Sequence, residues 1–189
     1  LQKRDGDIDD AIGWAFDYAF DKRADTLVYD AVGVGAGVKV GLVERIAERE
    51  IDVVGFGGGD SPTNGKYRGD RDNGDVFRNK RAQYWWLLRD RFENTYKAVV
   101  KGEYIDPIEC ISLSSSIADL AQLKSELIKQ QRKRASSTRL IQMVSKEDMR
   151  AQGIKSPNMA DALCMLWAIS PRKRKDKDVS IHTHKHNSG

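Results

Sequence analysis

The sequence of 189 residues is poor in cysteine and contains no long hydrophobic run. Its two cysteines, Cys110 and Cys164, lie in unrelated contexts without metal-site spacing, which argues against a disulfide scaffold or a zinc module and fits a reducing compartment. No apolar stretch approaches the roughly 20 residues of a membrane helix, and the first residues do not form a signal peptide. These absences exclude a membrane protein, a secreted mini-protein, collagen and a coiled coil.

The excess of positive charge is small, with 32 Lys and Arg against 28 Asp and Glu and a net charge of +4. This balance permits a nucleic-acid partner without requiring one. Basic residues cluster in two places: Lys129, Arg132, Lys133, Arg134 and Arg139, and then Arg172, Lys173, Arg174, Lys175 and Lys177. We expect 171–189 to be a disordered basic tail, and His182, His184 and His186 within it are not expected to form a metal site.

The first third of the chain alternates between helical and strand patterns. Apolar residues spaced three and four apart predict a helix at 8–22, and a β-branched run predicts a strand at 26–30. The same order repeats as a helix at 38–49 and a strand at 51–56. This alternation predicts an α/β fold with a parallel pair of strands.

The rest of the chain predicts, in order, a long polar loop at 57–75, helices at 79–99 and 117–131, a strand at 138–144 and a last helix at 158–169. Ser114–Ser116 is the predicted N-cap of the second of these helices. Ser145 with Asp148 is expected to open a short helical turn.

Asp30 is the first candidate site residue. A carboxylate at the end of an inner parallel strand points toward the crevice in which α/β proteins bind ligands. The competing interpretation is that Asp30 caps the amides of the following glycine turn, and position alone does not separate the two.

The glycine run at 33–37 is a weak signal for a nucleotide site. A dinucleotide fingerprint requires a third glycine where Val38 stands, and the carboxylate of Asp30 would repel a pyrophosphate. No phosphate-binding Gly-Lys-Ser/Thr sequence follows either.

Asp161 is the second candidate, one turn into an otherwise apolar helix. Helical spacing places Asn158, Asp161 and Met165 on one face. Asp161 either lies at an exposed helix N-terminus, where the helix dipole favours it, or contributes to a Mg²⁺ site built from separate elements.

Five strings together resemble one family, the C-terminal nuclease domain of the large terminase subunit of tailed double-stranded DNA phages. They follow the family's order and extend over roughly residues 26–170. The strings are Tyr29–Val38 (YDAVGVGAGV), Asn79–Trp86 (NKRAQYWW), Leu123–Leu127, Val144–Met149 and Lys155–Leu163 (KSPNMADAL).

The resemblance implies a ribonuclease-H-like fold, a mixed sheet flanked by helices, whose acidic residues bind two divalent ions, Mg²⁺ or Mn²⁺. It places Asp30 and Asp161 among the metal ligands and Lys146 beside the site. Two ions about 4 Å apart can activate water and stabilise the leaving oxygen. The implied partners are double-stranded DNA, the ATPase domain of the same protein, the portal and the small terminase subunit, with no membrane. The implied location is the host cytoplasm, at the procapsid.

The sequence departs from the family at one point. The family's first acidic residue lies on an opening strand, and nothing before Ile8 reads as that strand, so we expect 1–170 to be a nuclease domain lacking the opening strands. The leading hypothesis is an endonuclease that cuts concatemeric viral DNA. The alternatives are a non-catalytic docking module of the packaging machinery and a small nucleotide-binding α/β domain.

Overall fold

The computed structural model describes residues 8–32, 51–134 and 138–167. Helix α1, Ile8–Asp21, leads into strand β1, Thr26–Asp30, which pairs in parallel with β2, Asp52–Phe56. The register sets Thr26 opposite Asp52 and Asp30 opposite Phe56, so both strands end at the same edge. The predicted helix, strands and parallel pairing are confirmed, while the predicted helix at 38–49 lies outside the described residues.

Helix α1 packs one face against the sheet. Ile12, Phe16 and Ala19 are spaced three and four apart and are buried together with Ile51, which directly precedes β2. The amphipathic pattern of α1 therefore covers the start of the parallel pair and leaves its carboxyl edge to other elements.

The segment at 57–75 is more ordered than a polar loop. It forms an antiparallel hairpin of β3, Lys66–Tyr67, and β4, Arg71–Asp72, followed by a single-turn helix α2, Asn73–Val76. The hairpin turns through Gly69 and Asp70, whose φ angles are 72° and 69°. Strands of two residues are too short to produce a detectable period-2 pattern, which is why the sequence predicted a loop.

Helix α3, Lys80–Lys101, is the longest helix and the centre of the core. The Asn79 side chain caps its start by accepting the N–H of Ala82 at 2.9 Å, and Gly102 ends it in the left-handed conformation with φ 68°. The buried core around α3 contains Phe56, Tyr84, Trp85, Leu88, Ile111, Leu123, Met159, Ala160 and Cys164.

Three helices complete the described fold after the 3₁₀ turn Pro107–Glu109: α4, Leu120–Lys129; α5, Lys146–Ala151; and α6, Asn158–Leu166. The prediction of a serine N-cap for α4 is wrong, because that helix begins at Leu120 and Ser114 and Ser116 hydrogen-bond to each other. The Ser145 cap of α5 is confirmed, with its hydroxyl accepting the N–H of Asp148 at 3.0 Å.

The predicted strand at 138–144 is reduced to two isolated bridges within the described residues. Ile141 pairs in parallel with Phe77, and Met143 pairs in antiparallel fashion with Arg132. The alternating pattern places these residues against the core, but the neighbouring segments are irregular and offer no continuous partner. Among the helices described, none is both long and apolar enough to cross a membrane.

Candidate active site

The carboxylate of Asp30 stands at the carboxyl end of β1, as its sequence position predicts. Its Oδ1 accepts the backbone N–H of Val32 at 3.0 Å, and its Oδ2 lies 3.4 Å from Lys146 Nζ. The glycine amides at 33 and 35, which the capping interpretation named, lie outside the described residues. One oxygen caps the turn after the strand, and the other faces a cation.

Asp161 lies in the first turn of α6, but its side chain is only 15% exposed. Trp85 Nε1–H donates to Oδ1 at 3.2 Å, and Arg81 Nη2 lies 3.9 Å from the same oxygen. Oδ2 lies 3.3 Å from Lys146 Nζ and accepts no hydrogen bond from the part of the chain that the structure describes. Of the two interpretations of Asp161, the exposed one does not fit this low exposure, and the charge is compensated by neighbouring cations.

Lys146 is the first residue of α5, and its ammonium group joins the two carboxylates. Nζ contacts Oδ2 of both Asp30 and Asp161, so these two oxygens are no farther apart than the sum of two ion-pair distances. Three residues that the sequence singled out thus converge from β1, α5 and α6.

Helix α6 is held in place by a residue of α4. Pro157, at the N-cap position of α6, provides no side-chain cap. Glu126 Oε2 supplies the missing acceptor and takes the N–H of Met159 at 2.8 Å and of Ala160 at 3.0 Å. A carboxylate at a helix N-terminus also interacts favourably with the helix dipole. Glu126 therefore fixes the turn that carries Asp161.

The three converging residues line an open cavity of about 510 Å³. Gly58, Gly59, Gln142 and Met143 also line it. Cys164 also lines it, but burial, together with the charge of Asp161, raises the pKa of this thiol far above its usual range. Cys164 is therefore not an effective nucleophile, and the cavity's chemistry rests on its carboxylates and cations.

Two residues of the first basic cluster pair with residues that line this cavity. Arg132 pairs with Met143, and the Lys133 N–H donates to the Gln142 carbonyl at 2.7 Å. Lys129, Arg132, Lys133, Arg134 and Arg139 are all exposed. The tail cluster at 172–177 lies outside the described residues.

Sequence reasoning missed Arg81, Trp85 and Glu126 as parts of the site. The apolar periodicity of α3 correctly predicted that Trp85 is buried, but it carried no information on the direction of the indole N–H. Glu126 reads as a solvated helical charge, and only tertiary packing reveals that it caps another helix.

Residues 7–168 match the family described as the Terminase RNAseH like domain. The nuclease domain of the large terminase subunit gp2 of bacterial virus Sf6 is 39% identical, with a TM-score of 0.78 over 85% of this chain and 72% of that one. A comparison with curated proteins returns no match.

Two further solved structures are lysine-to-alanine variants of the same Sf6 domain. The one with manganese and beta-thujaplicinol is 37% identical, with a TM-score of 0.80 over 87% of this chain and 74% of that one. The one with calcium is 38% identical, with a TM-score of 0.78 over 85% and 72% of the two chains. The family match and these likenesses identify a ribonuclease-H-like α/β fold, and the chain belongs to the terminase RNase H-like domain family.

Proposed function

We propose that this chain is a divalent-metal-dependent endonuclease domain that cuts concatemeric double-stranded DNA during viral genome packaging. The proposed reaction is two-metal hydrolysis of a phosphodiester bond. The observation that carries the proposal is the convergence of Asp30 and Asp161 on one ammonium group at the wall of an open cavity. Two carboxylates distant in sequence share a cation only because the fold brings them together.

The donor atoms fit ions of the Mg²⁺ or Mn²⁺ type. These ions prefer a few carboxylate oxygens from separate elements, with water completing the shell. Asp161 Oδ2 is a buried oxygen that accepts no hydrogen bond from residues 8–32, 51–134 or 138–167, so it has the capacity to bind a cation. Solved relatives with manganese and with calcium support the same class of ion. When bound, such ions activate the attacking water and stabilise the leaving oxygen.

Within the described ranges, no group of three or more His, Cys, Asp or Glu side chains gathers around one point. Asp30 and Asp161 are therefore two ligands of a site that needs more. The family resemblance assigns the further carboxylate to an opening strand upstream of α1.

The protein's own side chains have separate roles in this proposal. Asp30 and Asp161 hold the ions, and Lys146 balances their negative charge while the ions are absent. Gly58 and Gly59 carry no side chains that would narrow the cavity, which helps the close approach of a DNA backbone. The exposed basic cluster beside Gln142 and Met143 supplies positive charge for neighbouring phosphates.

The packaging context follows from family membership. We propose that residues 1–170 form the nuclease domain and that 171–189 form a basic tail. The proposed partners are an ATPase domain of the same protein, the portal and the small terminase subunit, at the procapsid in the host cytoplasm.

A supercoiled-plasmid assay tests the proposal. We expect the protein to produce nicked and linear DNA with Mn²⁺ and none with EDTA. Asp30→Asn and Asp161→Asn should reduce cutting to the EDTA level, because each removes a charged ligand. Asp148→Asn is the matched control, since Asp148 is on α5 but pairs with Lys133. A folded protein without metal-stimulated cutting, or equal cutting by all four proteins, would contradict the proposal.

A further inference from the structure

Trp85 directs the polar atom of its indole ring at Asp161. The ring is buried in the core of α3 and only 5% exposed, and Nε1–H donates to Asp161 Oδ1 at 3.2 Å. Packing accounts for a large aromatic ring at this position, but a phenylalanine ring would also be apolar and nearly as large. The indole N–H is the feature that packing leaves unexplained.

Arg81 reaches the same carboxylate oxygen from one turn earlier on α3. Its Nη2 lies 3.9 Å from Asp161 Oδ1. Two hydrogen bonds fix the position of the Arg81 side chain. Nη1 donates to the Val144 carbonyl at 2.9 Å, and Nη2 donates to Gln130 Oε1 at 2.7 Å. The guanidinium group is therefore tied to Gln130, directly after α4, and to Val144, directly before the Ser145 cap of α5, and it cannot easily follow a moving carboxylate.

Both contacts involve Oδ1, and neither involves Oδ2. A planar carboxylate with one oxygen held by a hydrogen bond and flanked by a guanidinium charge also has its second oxygen fixed in direction. Here that second oxygen faces Lys146 and, beyond it, Asp30. Hydrogen bonds behind a metal-binding carboxylate orient it, and their loss typically weakens metal binding about 10–100-fold.

We propose that Trp85 and Arg81 are positioning residues that hold Asp161 Oδ1 and so set the affinity of Oδ2 for a divalent cation. This inference rests on the proposed metal site and extends it to residues that never touch the ion. The Asn79–Trp86 string thus has a function besides core packing. Trp85 acts through its N–H and Arg81 through its fixed charge.

The test is a measurement of Mn²⁺ binding, which needs no catalytic turnover. Bound Mn²⁺ is measured by the decrease of the electron paramagnetic resonance signal of the free ion. Trp85→Phe removes the donor and keeps an aromatic ring. Trp86→Phe is the matched control, because Trp86 is the next residue of α3 and its ring packs against the cluster of Val76, Phe77 and Ala82, with Arg89 and Arg132 over its face. We expect a Kd about tenfold higher for Trp85→Phe and unchanged for Trp86→Phe.

A second substitution distinguishes the loss of the indole N–H from an effect of unfolding. Benzothienylalanine at position 85 keeps the bicyclic shape and replaces the N–H by sulfur, and we expect it to weaken Mn²⁺ binding as Trp85→Phe does. Arg81→Lys retains charge but loses the fixed geometry and should weaken binding as well. Melting in EDTA reports the purely structural cost of each change.

The outcomes separate this inference from the proposed function. Unchanged Mn²⁺ affinity in Trp85→Phe and in the benzothienylalanine protein, with a wild type that binds, overturns the positioning role and leaves the metal site intact. Equal weakening by Trp85→Phe and Trp86→Phe also overturns it, because the effect is then general. Failure of the wild type to bind Mn²⁺ more tightly than Asp161→Asn overturns the proposed metal site itself, and this inference with it.

Discussion

Replacing Lys146 by methionine removes the ammonium group between the two site carboxylates and keeps a side chain of similar length. Lys146 Nζ lies 3.3 Å from Asp161 Oδ2 and 3.4 Å from Asp30 Oδ2, and the lysine side chain is 34% exposed. Exposed ion pairs contribute about 0.2–1 kcal/mol each. Because Asp161 is largely buried, we expect the upper part of that range and a combined loss of about 1–2 kcal/mol without metal.

The loss should be visible as a lower melting temperature in EDTA. For a chain of this size 1 kcal/mol corresponds to about 2–4 °C, so Lys146→Met should melt about 2–8 °C below wild type. Mn²⁺ at a hundredfold excess over Kd stabilises a protein by about 2.7 kcal/mol. If ions bind Asp30 and Asp161 as proposed, they must displace the ammonium group in wild type but not in the variant. The Mn²⁺-dependent rise in Tm should therefore be larger in Lys146→Met than in wild type.

Thermal melts of both proteins in EDTA and in Mn²⁺ measure this difference. Lys133→Met is the control, because Lys133 pairs with Asp148 at 3.7 Å and contacts neither site carboxylate. Its Tm difference from wild type should be the same in both buffers. If the Tm of Lys146→Met lies as far below that of wild type in Mn²⁺ as in EDTA, then the ions do not displace the ammonium group. That result would contradict the prediction.

Two further predictions concern the cap of α6 and the hydrogen bond between the hairpin and α3. Glu126→Ala should lower the free energy of unfolding by about 1 kcal/mol in urea unfolding, because two N–H groups of α6 lose their acceptor. Gln122→Ala is the control. It removes only a hydrogen-bond partner of Glu126 on the same helix and should lower the free energy of unfolding less. Burial and the hydrogen bond to the Asp90 carboxylate raise the pKa of Tyr67. The protonated phenol therefore contributes fully to the free energy of unfolding below pH 10, and this contribution is lost as the pH rises through the pKa of Tyr67 in the folded protein. Tyr67→Phe should therefore be less stable at pH 7 and lose less stability above pH 10 in urea titrations, and parallel curves for the two proteins would contradict this.

The parts of the fold that the sequence predicted well are those with a long repeating pattern. Helices α1 and α3 present apolar stripes over several turns, and β1 and β2 are short runs rich in apolar and β-branched residues. The hairpin at 66–72 and the bridges of Ile141 and Met143 are too short for a period to emerge. Their pairing is decided by partners far away along the chain.

The candidate site divides in the same way. Asp30 and Asp161 attracted attention because a charge at a strand end or within an apolar helix needs an explanation. Trp85 and Glu126 needed none, since a tryptophan in a core and a glutamate on a helix are ordinary. Their contribution lies in the direction of one N–H and one carboxylate, which are set by packing between elements and are not encoded in local periodicity.

The cap that Glu126 places on α6 has a consequence for the order in which the molecule folds. A helix of nine residues is too short to be stable alone in water, and this one lacks a side-chain cap at its own N-cap position. Its first turn is completed by a carboxylate 33 positions earlier in the chain. The turn that carries Asp161 therefore becomes persistent only after α4 has docked, which makes assembly of the carboxylate pair a late event in folding. The proposed ion-binding pair, and with it the proposed cutting activity, would then form only once the core is closed.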